Sequence, residues 1–159
     1  MYSVFISHST QDRGLVIALA HILTKFEIKV FVAEWYLTPG EPVRKKVFEK
    51  IEKSDCIVAL LTQNGVRSNW VNQEIECALK AGRTLIPIVE KGVNINDLAA
   101  LQGKEYIEYD PHQYEDALSK TAGFVKLLKL KKQEQKKALL VAGGILAFFL
   151  LLSSQREGK

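Results

Sequence analysis

Trp70 and Glu74 stand four residues apart in the stretch SNWVNQEIECALK and therefore share one face of a helix. Ser68 or Asn69 is a suitable N-cap for that helix. A carboxylate beside an aromatic wall suits cleavage of an N-glycosidic bond. As the base departs, positive charge develops on the sugar, and a nearby carboxylate stabilises it or hydrogen-bonds the sugar hydroxyls. Taken alone, Glu74 reads more readily as a solvent-facing helix glutamate, and Trp70 reads equally well as core packing. A second group, Ser7-His8-Ser9, closes the apolar run YSVFI. Its hydroxyls and backbone N–H groups suit a nucleotide, but they equally suit capping of the next helix. His8 reads more readily as a loop histidine capping its strand than as a catalytic base. A third group, Glu34-Trp35, leads into the turn pair Pro39-Gly40, and Trp35 suits a stacking surface or a contact between domains. There is no GxGxxG after the first apolar run, no GxxxxGK[ST] and no GxSxG, so phosphate-cradling loops and serine hydrolase chemistry drop out. No His/Cys/Asp cluster has metal-ligand spacing, and the chemistry proposed for Glu74 requires no metal.

The elements that must position these residues alternate regularly. Apolar runs at Ser3–Ser7, Lys29–Val32, Cys56–Leu61 and Thr84–Val89 read as strands, with a short edge strand at Tyr106–Tyr109. Cys56–Leu61 (CIVALL) is apolar throughout, as a strand buried on both faces must be. Pro87 is an irregularity that a central strand rarely tolerates. Helical patterns fall at Asp12–Phe26, Val43–Lys53, Trp70–Ala81 (stopped by Gly82) and Tyr114–Leu130. Strand–helix alternation with short connections predicts an α/β, doubly wound, flavodoxin-like fold. Its five-stranded parallel sheet would carry helices on both faces. Ligands of such sheets bind at the carboxyl ends of the strands, near the switch point, and Glu74 would lie within about two helical turns of that end.

The formal charge of +4 resembles that of a nucleic-acid binder, but it is unevenly placed. Residues 1–125 carry 14 Lys/Arg against 16 Asp/Glu, a net of −2, whereas six lysines crowd into 126–137. Nucleic acid is therefore not the expected partner. Cys56 and Cys77 read as two buried thiols, and the amino terminus has no signal-peptide pattern. Residues 138–154 form 17 uncharged positions, the lower limit for a membrane span. The lysines before them set a cytoplasmic orientation for the domain and would face anionic lipid headgroups. The sequence thus predicts a domain at 1–125, a basic juxtamembrane segment at 126–137, a transmembrane helix at 138–154 and a short tail at 155–159. The expected localisation is a single-pass membrane protein.

Tyr2–Ser9 closely resembles the first box of the TIR domain family. Val30–Glu34 through Leu37–Gly40 is similar to that family's second strand and Pro-Gly loop, and Ser54–Thr62 to its third strand. Ser68–Glu74 resembles its Ser-x-Trp-x-x-x-Glu stretch. The matches are ordered and cover residues 2 to about 90. The Phe-Trp box of many animal receptors is absent, which moves the resemblance toward microbial, catalytic members. The resemblance implies an NAD+ glycohydrolase releasing nicotinamide and leaving ADP-ribose or a cyclic isomer. Glu74 would be catalytic, and Ser7, His8, Ser9, Glu34, Trp35 and Trp70 would line the substrate site. NAD+ would be a substrate, with no cofactor. It further implies homo-oligomers with other TIR domains, contacts through Pro39 and Gly40, and activation by clustering in a defence response. A non-catalytic adaptor that recruits other TIR domains and a nucleoside deoxyribosyltransferase-like enzyme are the competing readings.

Overall fold

The computed structural model describes residues 1–36, 40, 42–94 and 98–156. They form two compact units, Met1–Val125 and the residues from Lys126 onward. The first unit is a five-stranded parallel sheet: β1 Ser3–Ser7, β2 Lys29–Val32, β3 Cys56–Leu61, β4 Thr84–Glu90 and β5 Ile107–Tyr109. The strand order is β2-β1-β3-β4-β5, the flavodoxin-like winding. The helices are α1 Arg13–Lys25, α2 Val43–Lys53, the single turn α3 Gln63–Val66, α4 Asn69–Lys80 and α5 Tyr114–Arg156.

The period of two along a strand explains the layers. Phe5 and Ile57 point to one face, where Phe31, Val47, Ile51 and Ala78 meet them, so α2 and α4 cover that side. Ala59 and Leu61 continue the same face toward Val71, Ile75 and Val89. The intervening Val4, Ile6, Val58 and Leu60 are wholly buried too, so the opposite face is covered as well. The connection β1–α1–β2 winds away from β3 and the later ones wind toward β5. Right-handed crossovers therefore place α1 opposite α2 and α4. Pro87 does lie in β4, beside Ala59 of β3. The β5 ladder begins only at Ile88, so the edge beside Pro87 is unpaired where its missing N–H would matter. Cys56 is buried, and burial pushes its thiol up to about 12, whereas Cys77 is only half-buried. The expectation of two buried thiols holds for the first alone.

The sequence left 63–66 unassigned, and here Thr62 caps α3 by accepting from Gly65 N at 3.0 Å. A Cβ at Gly65 would fall 2.2 Å from the Leu60 carbonyl oxygen, a backbone atom of a buried strand. Gly65→Ala is therefore expected to destabilise the domain by about 3 kcal/mol, lowering the melting temperature by roughly 10 °C. A thermal unfolding midpoint within about 2 °C of wild type would show that the strand yields at little cost.

One expectation is overturned. The last helix runs from Tyr114 to Arg156, well past Leu130, yet among the described residues no helix is long and apolar enough to cross a membrane. The physical reason lies in the length of the apolar run. At 1.5 Å per residue, the 17 uncharged positions reach roughly 26 Å, short of a ~30 Å hydrocarbon core. The transmembrane helix at 138–154, and with it the single-pass membrane localisation, are withdrawn.

Candidate functional site

The switch point of this winding falls at β1, which pairs with β2 on one side and β3 on the other. The loops after β1 and β2 and the start of α4 therefore open around one crevice. A cleft of about 330 Å³ lies there, lined by His8, Thr10, Ala33, Glu34, Val43, Trp70 and Glu74.

Glu74 reaches the cleft from α4. Ser68 caps that helix, its hydroxyl accepting from Val71 N at 3.3 Å, which fixes the register of the turns that follow. Glu74 is only 1 % exposed, so it is no solvent-facing helix glutamate. Its Oε2 accepts a hydrogen bond from the Ser7 hydroxyl, while its Oε1 is buried without a hydrogen-bond partner. Burial pushes the carboxyl up to about 7. The Ser7 hydroxyl and then the Trp70 indole pull the other way. About half of the groups are then ionised near neutrality.

The strand period brings Ser7 to this meeting. It lies on the same face of the sheet as Phe5, beneath α4, and is wholly buried. His8 follows on the cleft wall, its Nδ1 3.4 Å from the Ile6 carbonyl oxygen. Its Nε2 is buried with no hydrogen-bond partner and stands 3.7 Å from Glu34 Oε1. The other oxygen of Glu34 lies 3.5 Å from Arg13 Nε. Glu34 comes from the 3₁₀ turn Ala33–Tyr36 after β2.

The structure thus brings five of the expected site residues together: Ser7, His8, Glu34, Trp70 and Glu74. Ser9 does not join them. Its hydroxyl instead caps the 3₁₀ turn Thr10–Asp12, accepting from Gln11 N at 3.4 Å. The backbone of Trp35 belongs to the turn after β2, but its side chain lies outside the described residues, as does Pro39. Gly40 is exposed at φ +86, a conformation that glycine adopts without strain. Thr10, Ala33 and Val43 line the cleft without having been expected there. Val43 is the instructive miss. It shares a helical stripe with Val47 and Ile51, which are buried, but at the first position of α2 it is 36 % exposed. An apolar residue at the start of a core stripe can thus face a ligand crevice.

The chain is similar to a putative cyclic ADP-D-ribose synthase of Cytobacillus dafuensis, 29 % identical over 135 residues, 79 % of this chain and 33 % of that protein. It is also similar to a 2′ cyclic ADP-D-ribose synthase of Acinetobacter baumannii. That match is 28 % identical over 76 residues, 47 % of this chain and 28 % of that one. The chain spans about a third of the length of these curated relatives. Among solved structures, the TIR domain of a Toll-related receptor of Hydra magnipapillata superposes with a TM-score of 0.60. It is 24 % identical and covers 69 % of this chain and 85 % of its own. The TIR domain profile matches residues 4–122, which contain every strand but the first residue of β1 and every residue lining the cleft. With the 2-1-3-4-5 winding, this shows that the chain belongs to the TIR domain family.

Proposed function

We propose that this chain cleaves the nicotinamide–ribose bond of NAD+, releasing nicotinamide and leaving ADP-ribose or a cyclic isomer. The observation that carries the proposal is Glu74: a buried carboxylate on a cleft wall, with one oxygen held and the other unpartnered. As the C–N bond lengthens, its electron pair leaves with nicotinamide, and the ribose becomes cationic. A negative group fixed in a buried position stabilises that charge far better than water does. The ribose is then captured by water, giving ADP-ribose, or by a hydroxyl of the same molecule, closing a ring. Each route releases one proton.

The other residues suit this work. Trp70 and Val43 give the flat nicotinamide ring apolar walls, while His8 Nε2 and Glu34 are available to ribose hydroxyls. The names of the two curated relatives agree, since a cyclic ADP-ribose is what remains when NAD+ loses nicotinamide and closes on itself. The chemistry needs no metal or cofactor. About 330 Å³ is at the small end of ligand pockets and accommodates one end of a dinucleotide. We propose that a neighbouring copy, docked through the loop at Gly40, covers the remainder, so that activity depends on self-association.

The test is to incubate the full chain with NAD+ and follow free nicotinamide by chromatography, with the protein dilute and then crowded on beads. Nicotinamide release that rises per molecule with density is expected. A constant specific activity would mean that each copy holds a complete site. A folded protein that releases no nicotinamide at any density would instead be a recruiting adaptor.

A further inference from the structure

We propose that Ser7 is a positioning residue for Glu74, one that holds Oε2 so that Oε1 alone is presented to the ligand. The inference rests on the NAD+-cleaving reading for its consequence in turnover, though not for the contact itself. The sequence offered Ser7 as a substrate-binding residue, but its side chain is wholly buried and does not line the cleft. Its hydroxyl donates to Glu74 Oε2 across 67 positions of sequence. The two anchors differ in stiffness. Ser7 ends β1, a strand paired on both sides, and a serine hydroxyl is placed by a single torsion. Glu74 has three side-chain torsions and sits one turn into α4. Bound to Ser7, it loses the freedom to turn both oxygens toward the cleft or away from it. Oε1, buried and unpartnered, is then the atom left for a ribose hydroxyl or the developing cation.

Two consequences separate positioning from simple packing. Removing the hydroxyl withdraws a donor from the charged form, so Glu74 should hold its proton to higher pH. It should also lower kcat while leaving KM nearly unchanged, because Ser7 touches no substrate.

The experiment uses the full chain with ¹³C-labelled glutamate, as wild type, Ser7→Ala and Ser7→Cys, with Glu74→Gln to assign the resonance. The side-chain carboxyl carbon of Glu74 is titrated from about pH 5 to pH 9 without substrate. A Ser7→Ala midpoint about one pH unit above wild type is expected, with Ser7→Cys, a weaker donor, between them. An unchanged midpoint in a folded variant would overturn the proposal. If Ser7→Ala does not fold, the Ser7→Cys midpoint decides in the same way.

Turnover gives the second readout. In Ser7→Ala, kcat should fall about 10- to 100-fold and the acid limb of the pH profile should move upward with the titration. A raised KM at unchanged kcat would mean that Ser7 meets the substrate, and the positioning role would be wrong. A wild type that releases no nicotinamide would count against the NAD+ reading, while the titration would still decide the Ser7–Glu74 contact.

Discussion

Glu74→Ala is expected to lower nicotinamide release by ~10²–10³, and Glu74→Gln by a similar factor, because in the proposed reaction either change removes the charge that answers the cationic ribose. The glutamine variant carries a second, opposite signature in stability. The folded-state pKa of Glu74 is raised to about 7 from an ordinary value near 4.5. The stability associated with this group is therefore fully present below about pH 4.5 and is lost as pH rises through about 7. Above that pH the fold carries a buried charge with one unsatisfied oxygen, at a cost of up to roughly 3 kcal/mol. Glutamine keeps an oxygen for the Ser7 hydroxyl but carries no charge. Its amide N–H groups lack partners there, which offsets part of the gain. Glu74→Gln is thus expected to unfold later than wild type at pH 8, by about 1–2 kcal/mol, and to show no such advantage at pH 4. Denaturant unfolding at the two pH values, beside a nicotinamide assay at pH 8, tests both halves. A dead enzyme that is also less stable at pH 8 would indicate that the carboxylate supports the fold. Near-normal turnover would remove Glu74 from the chemistry.

Much of this arrangement is visible in local sequence, and its limits follow from what local sequence can encode. The run CIVALL is apolar at every position, a pattern that only a strand covered on both faces requires, so β3 and the parallel sheet follow from it. Trp70 and Glu74 are paired by helical spacing alone. The depth of Glu74 was not visible. Spacing places it on a face of α4, but which face meets the sheet depends on the crossover from β3, and with it whether the carboxylate is wet or dry. The Ser7–Glu74 bond joins two motifs 67 residues apart. No periodicity relates them, and only the strand order brings β1 beneath α4. Gly65 is similar. Nothing in QNGV shows that its α-carbon lies against the Leu60 carbonyl, because that contact arises from how tightly α3 folds back on β3. Ser9 illustrates the converse. Its neighbours make it a plausible ligand, but a cap is the nearer use for a hydroxyl at the start of a helical turn, and the cap prevails. The apolar tail invited a membrane reading because its length sits at the boundary, where composition alone does not decide.

The rate of nicotinamide release should depend steeply on pH, in a direction set by burial. Most exposed carboxylates are fully ionised above pH 5 and contribute no pH dependence near neutrality. Glu74, held at about 7 by desolvation, is protonated in most molecules at pH 6 and ionised in most at pH 8. In the proposed reaction the ionised form of Glu74 stabilises the ribosyl cation, so kcat/KM should rise tenfold per pH unit up to about 7 and level off above it. At pH 5 the expected value is about 100-fold below the plateau. Since kcat/KM reports the free protein, this limb should coincide with the midpoint of the Glu74 titration measured without substrate. His8 also borders the cleft, facing Glu34 and lying near Asp12, and so serves as the control. His8→Gln separates the two: if Glu74 governs the profile, the variant keeps the same inflection even where its plateau is lower. Measurement of kcat/KM from pH 5 to 9 for wild type and His8→Gln decides the matter. A flat profile, or an inflection that disappears with His8, would mean that the ionisation of Glu74 does not limit the reaction.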